Sequence, residues 1–150
     1  MMRLLPISEI CKINPKKSSV RELPDDNMVS FIGMKDVSEE GQVIPDQDRT
    51  LSELYKGFTF FAEGDILFAT ITPCMENGKG GLALGLTNQI GFGSTEFHVL
   101  RAKDAVESRY INHLLLSKTL RIQAEKSMTG SAVQKRVPTS FFDQFKIPLP

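Results

Sequence analysis

The sequence has 150 residues, no tryptophan, only two cysteines, only two histidines and no net charge at pH 7. Each shortage removes a class of function. Cys11 and Cys74 lie far apart, so they make neither a disulfide framework nor a zinc motif. Both read as reduced, with Cys11 a small core hydrophobe. His98 and His113 are isolated, and no His or Cys cluster has the spacing of a metal site. A lone histidine on a strand or an amphipathic helix is ordinarily a structural or surface residue. No apolar run approaches the roughly 20 residues that a membrane helix needs. Residues 1–14 lack the basic head, apolar stretch and small-residue cleavage site of a secretion signal. The expectation is a cytoplasmic protein with no membrane partner and no bound cofactor or metal.

Catalytic motifs are also missing. A phosphate-binding loop needs a glycine five residues before its Gly-Lys pair and Ser or Thr just after it. Here Gly78-Lys79 is preceded at that position by Pro73 and followed by Gly80. Gly91-Phe92-Gly93 starts a dinucleotide fingerprint, but Glu96 stands at the third glycine position. Ser94 lacks the downstream glycine of a nucleophile elbow. Asn14-Pro15 continues into Lys16-Lys17, so the Asn-Pro-Pro-aromatic signature of adenine methyltransferases is absent. A non-catalytic chain is the expectation.

The length suits one domain with a single substantial core, and 41% hydrophobic with 24% charged residues is ordinary globular composition. Zero net charge conceals segregation. Residues 36–65 hold eight acidic residues against Arg49 and Lys56, a net −6. Residues 118–136 hold five basic residues (Lys118, Arg121, Lys126, Lys135, Arg136) against Glu125, a net +4. This asymmetry is compatible with a positive and a negative face, and on charge alone with ordinary solvated surface.

Residues 6–11 read as a short helix or turn that packs Ile7 and Ile10, and residues 14–26 as a loop. Residues 28–33 form a buried strand ended by glycine, and residues 36–49 a long surface loop. Thr50 caps a short helix covering Leu51, Leu54 and Tyr55. The strongest core signal is residues 58–71. Within it, residues 66–71 run apolar on both faces, as a central strand does. Residues 72–81 are a glycine-rich loop, 82–84 a short strand, 88–93 a turn and 95–100 a strand. Residues 107–128 have helical spacing, with Tyr110, Ile111, Leu114 and Leu115 on one face and Gly130 as the stop. A last short helix at 141–144 and a strand at 145–147 precede Pro148-Leu149-Pro150. The class is α+β: a single domain with a mixed or mainly antiparallel curved sheet and helices toward the C-terminal end.

Four stretches, in order, resemble a known family. They are Phe31-Ile32-Gly33-Met34-Lys35-Asp36-Val37, then Phe61 through Gly64-Asp65-Ile66-Leu67-Phe68 to Pro73, then Gly93-Ser94-Thr95-Glu96-Phe97-His98-Val99-Leu100-Arg101, then Met128-Thr129-Gly130-Ser131 with Gln134-Lys135-Arg136-Val137. The chain ends in Lys146-Ile147-Pro148-Leu149-Pro150. Each stretch alone is weak, but the ordered set resembles the target recognition domain of type I restriction–modification specificity subunits.

That resemblance implies sequence-specific recognition of double-stranded DNA, one half of a split target per domain. It implies methyltransferase subunits as partners, which methylate adenine, and motor-nuclease restriction subunits reached through the complex. It implies one recognition domain over residues 1–150, without the spacer helix and second recognition domain of a whole subunit. The residues expected at the DNA are Asn77, Gly78, Lys79, Gly80, Gly130, Ser131, Gln134, Lys135 and Arg136. Glycine-rich backbone approaches phosphates closely, lysine neutralises them, Gln134 suits adenine and Arg136 guanine. The residues alone also allow a hairpin or bulge at 78–81 and a plain helix end and loop at 128–136. The competing reading is a protein-interaction or assembly domain of a truncated specificity subunit with little DNA reading of its own. A small enzyme ranks third. Salt-dependent DNA binding separates the first two.

Overall fold

The doubly apolar run at 66–71 sits in the middle of a layered α+β architecture. The computed structural model describes residues 3–130 and 135–149. Within those residues the chain order is β1 (Arg3–Pro6), α1 (Ile7–Ile10), β2 (Cys11–Ile13), β3 (Met28–Ile32), β4 (Gln47–Thr50), α2 (Leu51–Leu54) and β5 (Thr59–Ala62). It continues with β6 (Ile66–Ala69), β7 (Gly80–Leu82), β8 (Ile90–Gly93), β9 (Phe97–Ala102), α3 (Ala105–Leu115), α4 (Lys118–Ser127), α5 (Ser140–Gln144) and β10 (Lys146–Leu149).

The first four-stranded sheet has the order β2-β9-β6-β7 and is antiparallel throughout. The second has the order β4-β3-β8-β5, with β3 and β8 parallel and the other pairs antiparallel. β1 and β10 form a separate antiparallel ribbon. Ile32 and Phe61 of the second sheet meet Leu67, Phe97 and Val99 of the first in one buried cluster. On its other face the first sheet presents Ile66, Phe68 and Leu100 to Ile111, Leu115, Leu120, Ala124 and Phe142 of the helices. β6 is therefore covered on both sides, which is why its four residues are all apolar and all buried. The outer face of the second sheet (Val29, Phe60, Phe92) is closed by Leu51, Leu54 and Val20.

Several expectations hold. Ile111 and Leu115 are buried, and Tyr110 and Leu114 pack against the same cluster. Cys11 is buried in that core, and its burial pushes the thiol up to about 12. The Glu53 carboxylate accepts from the Thr50 amide at 3.4 Å and from Thr50 Oγ1 at 3.0 Å, closing the start of α2.

Others are corrected. The sequence predicts a turn at 88–93, yet Ile90–Gly93 is a buried strand lying parallel to β3. Its glycines serve packing: a Cβ on Gly91 would come within 2.2 Å of the Phe61 ring. The loop expected at 36–49 contains the start of β4, a polar edge strand paired with β3. With no apolar alternation it leaves no periodic signal. The single helix expected at 107–128 is two, α3 and α4. Leu116 ends the first, and the Ser117 side chain accepts from the Leu120 amide at 3.2 Å to start the second.

Candidate nucleic-acid interface

β6 ends where β9 begins, because the two pair antiparallel with Ala69 opposite Phe97. Beyond that end the chain has three irregular segments, and backbone bonds draw them together. The Thr70 amide donates to the Glu96 carbonyl at 2.9 Å, the Thr72 amide to the Lys135 carbonyl at 3.1 Å, and the Val137 amide to the Thr70 carbonyl at 2.9 Å. Thr129 and Arg136 exchange two backbone bonds, at 3.0 and 2.9 Å. Residues 135–137 thus extend the sheet edge past β6, through a bridge from Ile71 to Arg136. Among the described residues, 71–79, 94–96, 128–130 and 135–137 form one rim. Asn77, Gly130, Lys135 and Arg136 are exposed on it. Ser131 and Gln134 lie outside the described residues.

Arg136 is held by Glu96 in a two-pronged pair. Nε donates to Oε2 and Nη2 to Oε1, both at 2.8 Å. The arginine hydrogen bond holds the Glu96 carboxyl below its usual range and raises the guanidinium in turn. Thr70 Oγ1 adds a bond to Glu96 at 3.3 Å. The plane of the fork is set by its paired bonds to a carboxylate that sits just ahead of β9 and is also held by Thr70.

The other expected residues behave differently from one another. Lys79 is half-buried and its ammonium donates to the Met34 carbonyl at 3.2 Å. Gly78 and Gly80 are buried, and Gly80 belongs to β7. Their amides already donate, Gly78 to the Met75 carbonyl at 3.0 Å and Gly80 to the Ser38 carbonyl at 3.3 Å. A Cβ on Gly80 would sit 2.4 Å from the Leu67 carbonyl oxygen. These two glycines therefore shape the hairpin, and their amides are satisfied inside the chain.

The basic run at 118–136 is not a single positive face, because Arg121 points inward and is 5% exposed. Its Nε donates to the Leu115 carbonyl at 2.7 Å, and Nη1 to the carbonyls of Met75 at 2.9 Å and Lys79 at 3.4 Å. Nη2 reaches the Gly78 carbonyl at 3.5 Å, and the guanidinium carbon lies 4.3 Å from the centre of the Phe68 ring. Burial pulls this guanidinium down to about 10, so it remains charged at neutral pH. A charge run in the sequence does not show which member turns inward.

The acidic run at 36–65 is likewise not one surface. Asp36 accepts from the Gly33 amide, Asp48 from Thr87 Oγ1, and Glu63 from the Gly85 and Leu86 amides. Asp65 is buried against Arg101. The segment is also not remote from the rim, since the Glu39 carbonyl oxygen lies 3.1 Å from where a Gly78 Cβ would be.

His98 stands behind the rim. Asn14 Oδ1 accepts from the Val99 amide at 2.8 Å, so Asn14 Nδ2 is left to donate to His98 Nδ1 at 3.3 Å. Nε2–H then donates to the Val137 carbonyl at 2.7 Å, which fixes the neutral tautomer. Burial is the main cause that lowers this imidazole's affinity for a proton. Glu96, Thr70, Arg121 and His98 are contributors that sequence reasoning did not select as site residues, although Thr70, Glu96 and His98 lie inside the family-like stretches. Their partners lie 26 to 46 residues away for most of these contacts, as for Thr70–Glu96 and Arg121–Met75, and no local pattern signals such pairs. Among the described residues, no group of three His, Cys, Asp or Glu side chains is placed to hold a metal ion, and no helix is long and apolar enough to cross a membrane.

The sequence model of the type I restriction modification DNA specificity domain matches residues 3–150. The chain is 40% identical over 148 residues to the specificity subunit of the Escherichia coli type I restriction enzyme EcoEI, covering 97% of this chain and 24% of that subunit. It is 39% identical over 151 residues to the specificity subunit of the Escherichia coli enzyme EcoAI, covering 96% and 24%. The chain spans about a quarter of the length of these relatives. Among solved structures it is similar to the HsdS subunit from Thermoanaerobacter tengcongensis, with a TM-score of 0.72 at 18% identity over 99% of this chain and 38% of the other. A chain from work on complex assembly and conformational transition of the type I R-M system gives a TM-score of 0.74 at 19% identity, again over 99% and 38%. At those identities the likeness establishes the fold.

Proposed function

This chain belongs to the family of type I restriction modification DNA specificity domains, and from that premise we propose that it reads one half of a split double-stranded DNA target with the rim described above. In this reading it is a single target recognition domain that does no chemistry itself. Methyltransferase subunits modify adenine and motor-nuclease subunits cleave, both directed in the cytoplasm by the complete specificity subunit.

The observation that carries the proposal is the Arg136–Glu96 pair on an exposed edge where three loops meet. A guanidinium oriented by a carboxylate has less freedom to lose on binding, so it suits a paired hydrogen bond to guanine O6 and N7. Lys135 is exposed, and Lys79 bonds to a neutral carbonyl rather than a carboxylate. Both suit phosphate contacts. Asn77, Gly130, Ser131 and Gln134 complete the proposed surface, with Gln134 suited to adenine. Gly78 and Gly80 contribute by fixing the path of the loop.

The test uses the assembled methylase–specificity complex and the triple substitution Lys79→Ala, Lys135→Ala, Arg136→Ala. Affinity for DNA should fall, and preference at one base position should relax. The log–log dependence on salt should become shallower by about 1 for each phosphate that is no longer neutralised. A complex whose affinity, salt slope and preference all stay unchanged refutes this placement of the DNA face. If the substitutions instead abolish assembly with the methylase while the remaining DNA binding is normal, the assembly reading replaces it.

A further inference from the structure

We propose that Arg121, a buried residue behind the rim, is the positioning residue that holds both reading segments of the rim in register. The inference deepens the DNA-reading proposal and rests on it.

After β6 the chain turns tightly. The Met75 amide donates to the Ile71 carbonyl at 2.9 Å and the Asn77 amide to the Pro73 carbonyl at 3.1 Å, so residues 71–77 coil in a helix-like turn. The carbonyls that follow, those of Met75, Gly78 and Lys79, face inward at its end. The Met75 and Lys79 carbonyls already accept from the Gly78 and Ala69 amides, but each carbonyl oxygen has a second lone pair open to further donors. Arg121 supplies them from a single planar group, with bonds to Met75, Lys79 and Gly78. The same guanidinium anchors itself at the joint between α3 and α4 through the Leu115 carbonyl. The Phe68 ring of β6 covers its face.

Among the described residues, Arg121 makes no ion pair with a carboxylate. Its charge is balanced by carbonyl dipoles of the turn, so a change in the turn's shape would strip partners from a buried cation, which is costly. The turn is therefore rigid where Asn77 and Lys79 leave it. Arg121 also lies on α4, the helix that leads into residues 128–136. One side chain thus ties the turn carrying Asn77 and Lys79 to the helix after which Thr129 pairs with Arg136. Lysine cannot replace it: a point charge on a flexible stem does not reach four carbonyls at once.

The experiment places Arg121→Lys and, as a second variant of different chemistry, Arg121→Gln in the assembled complex. It measures binding to the cognate site and to sites with single base changes at 15 °C, with thermal unfolding of each variant recorded alongside. Discrimination against one wrong base pair is ordinarily on the order of tenfold to a hundredfold. Both variants should lower it by about fivefold or more at the positions read by this domain, while the salt slope stays at the wild-type value because the phosphate-contacting lysines remain. Amide exchange of Asn77 and Lys79 should quicken in the same variants. Folded variants with lowered melting temperature but wild-type discrimination and exchange would reduce Arg121 to a core residue and overturn the proposal. If Arg121→Lys does not fold, the Arg121→Gln result decides by the same two readouts. If neither folds, amide exchange in the wild-type chain decides: Asn77 and Lys79 opening far more easily than β6 overturns the proposal. The Lys79, Lys135, Arg136 triple substitution in the same assay separates the two failures. No effect of that triple sinks the DNA-reading proposal, whereas a normal effect with unchanged discrimination in the Arg121 variants sinks this one alone.

Discussion

Replacing Asp65 by alanine should destabilise the chain by about 3 kcal/mol without touching DNA recognition. Asp65 is 2% exposed, at the start of β6 and so at the far end of that strand from the rim. Its carboxylate accepts from the Ala62 amide at 2.8 Å and from Arg101 Nε and Nη2 at 2.8 Å each. Breaking a buried ion pair costs roughly 3–5 kcal/mol when the remaining charge is stranded. Here Arg101 has a side chain 35% exposed, so water takes over its charge and the lower end of the range applies. In a domain of this length each kcal/mol is worth about 2–4 °C, which puts the fall in melting temperature at roughly 6–12 °C. The reverse deletion should be at least as harmful. Among the described residues, Arg101→Ala leaves the buried carboxylate with the Ala62 amide as its remaining bond partner. The double variant should therefore be no less stable than Arg101→Ala alone, a coupling of about 3 kcal/mol, the full cost of Asp65→Ala, in a double-mutant cycle. Chemical and thermal denaturation of the four proteins measures it. A cost below about 0.5 kcal/mol for Asp65→Ala, or strictly additive single costs, would refute this account of the pair.

Two further outcomes follow from buried titratable groups. His98 is neutral in the fold and its pKa is lowered mainly by burial, so the unfolded chain binds a proton more readily. Its contribution to stability is complete above the ordinary imidazole value of about 6.5 and is lost as pH falls below it. Urea midpoints between pH 5 and pH 7.5 should slope more steeply for the wild type than for His98→Gln, and equal slopes would contradict the assignment. Cys11, buried with its thiol pushed up to about 12, should resist a thiol reagent at pH 8 until the chain unfolds. Cys74, only partly buried, should react in the native state. Prompt modification of both would show that the core around Ile7 and Ile111 opens readily.

Part of this molecule was decided by sequence alone. The four residues of β6 are apolar on both faces, and the short run after the Glu63-Gly64-Asp65 turn fits a strand covered on both sides. The face formed by Ile111 and Leu115 follows from helical spacing, and the start of α2 from Thr50 at its N-terminal boundary. The order of short motifs, rather than any one of them, carried the family. Tertiary structure decided the rest. Gly91 and Gly93 read locally as a turn, and only the Phe61 ring lying across Gly91 and the Ile32 carbonyl against Gly93 show why the strand needs them. β4 is polar because it is an edge whose partner, β3, supplies the pairing. Lys118, Arg121 and Lys126 share a charge in sequence, but only Arg121 meets a cluster of inward carbonyls and turns away from solvent. Arg136 becomes an oriented fork because Glu96, just ahead of β9, is brought beside it. Local pattern fixes which residues must leave water. Which polar groups then meet depends on contacts between distant segments, and these exist only once the sheets have formed.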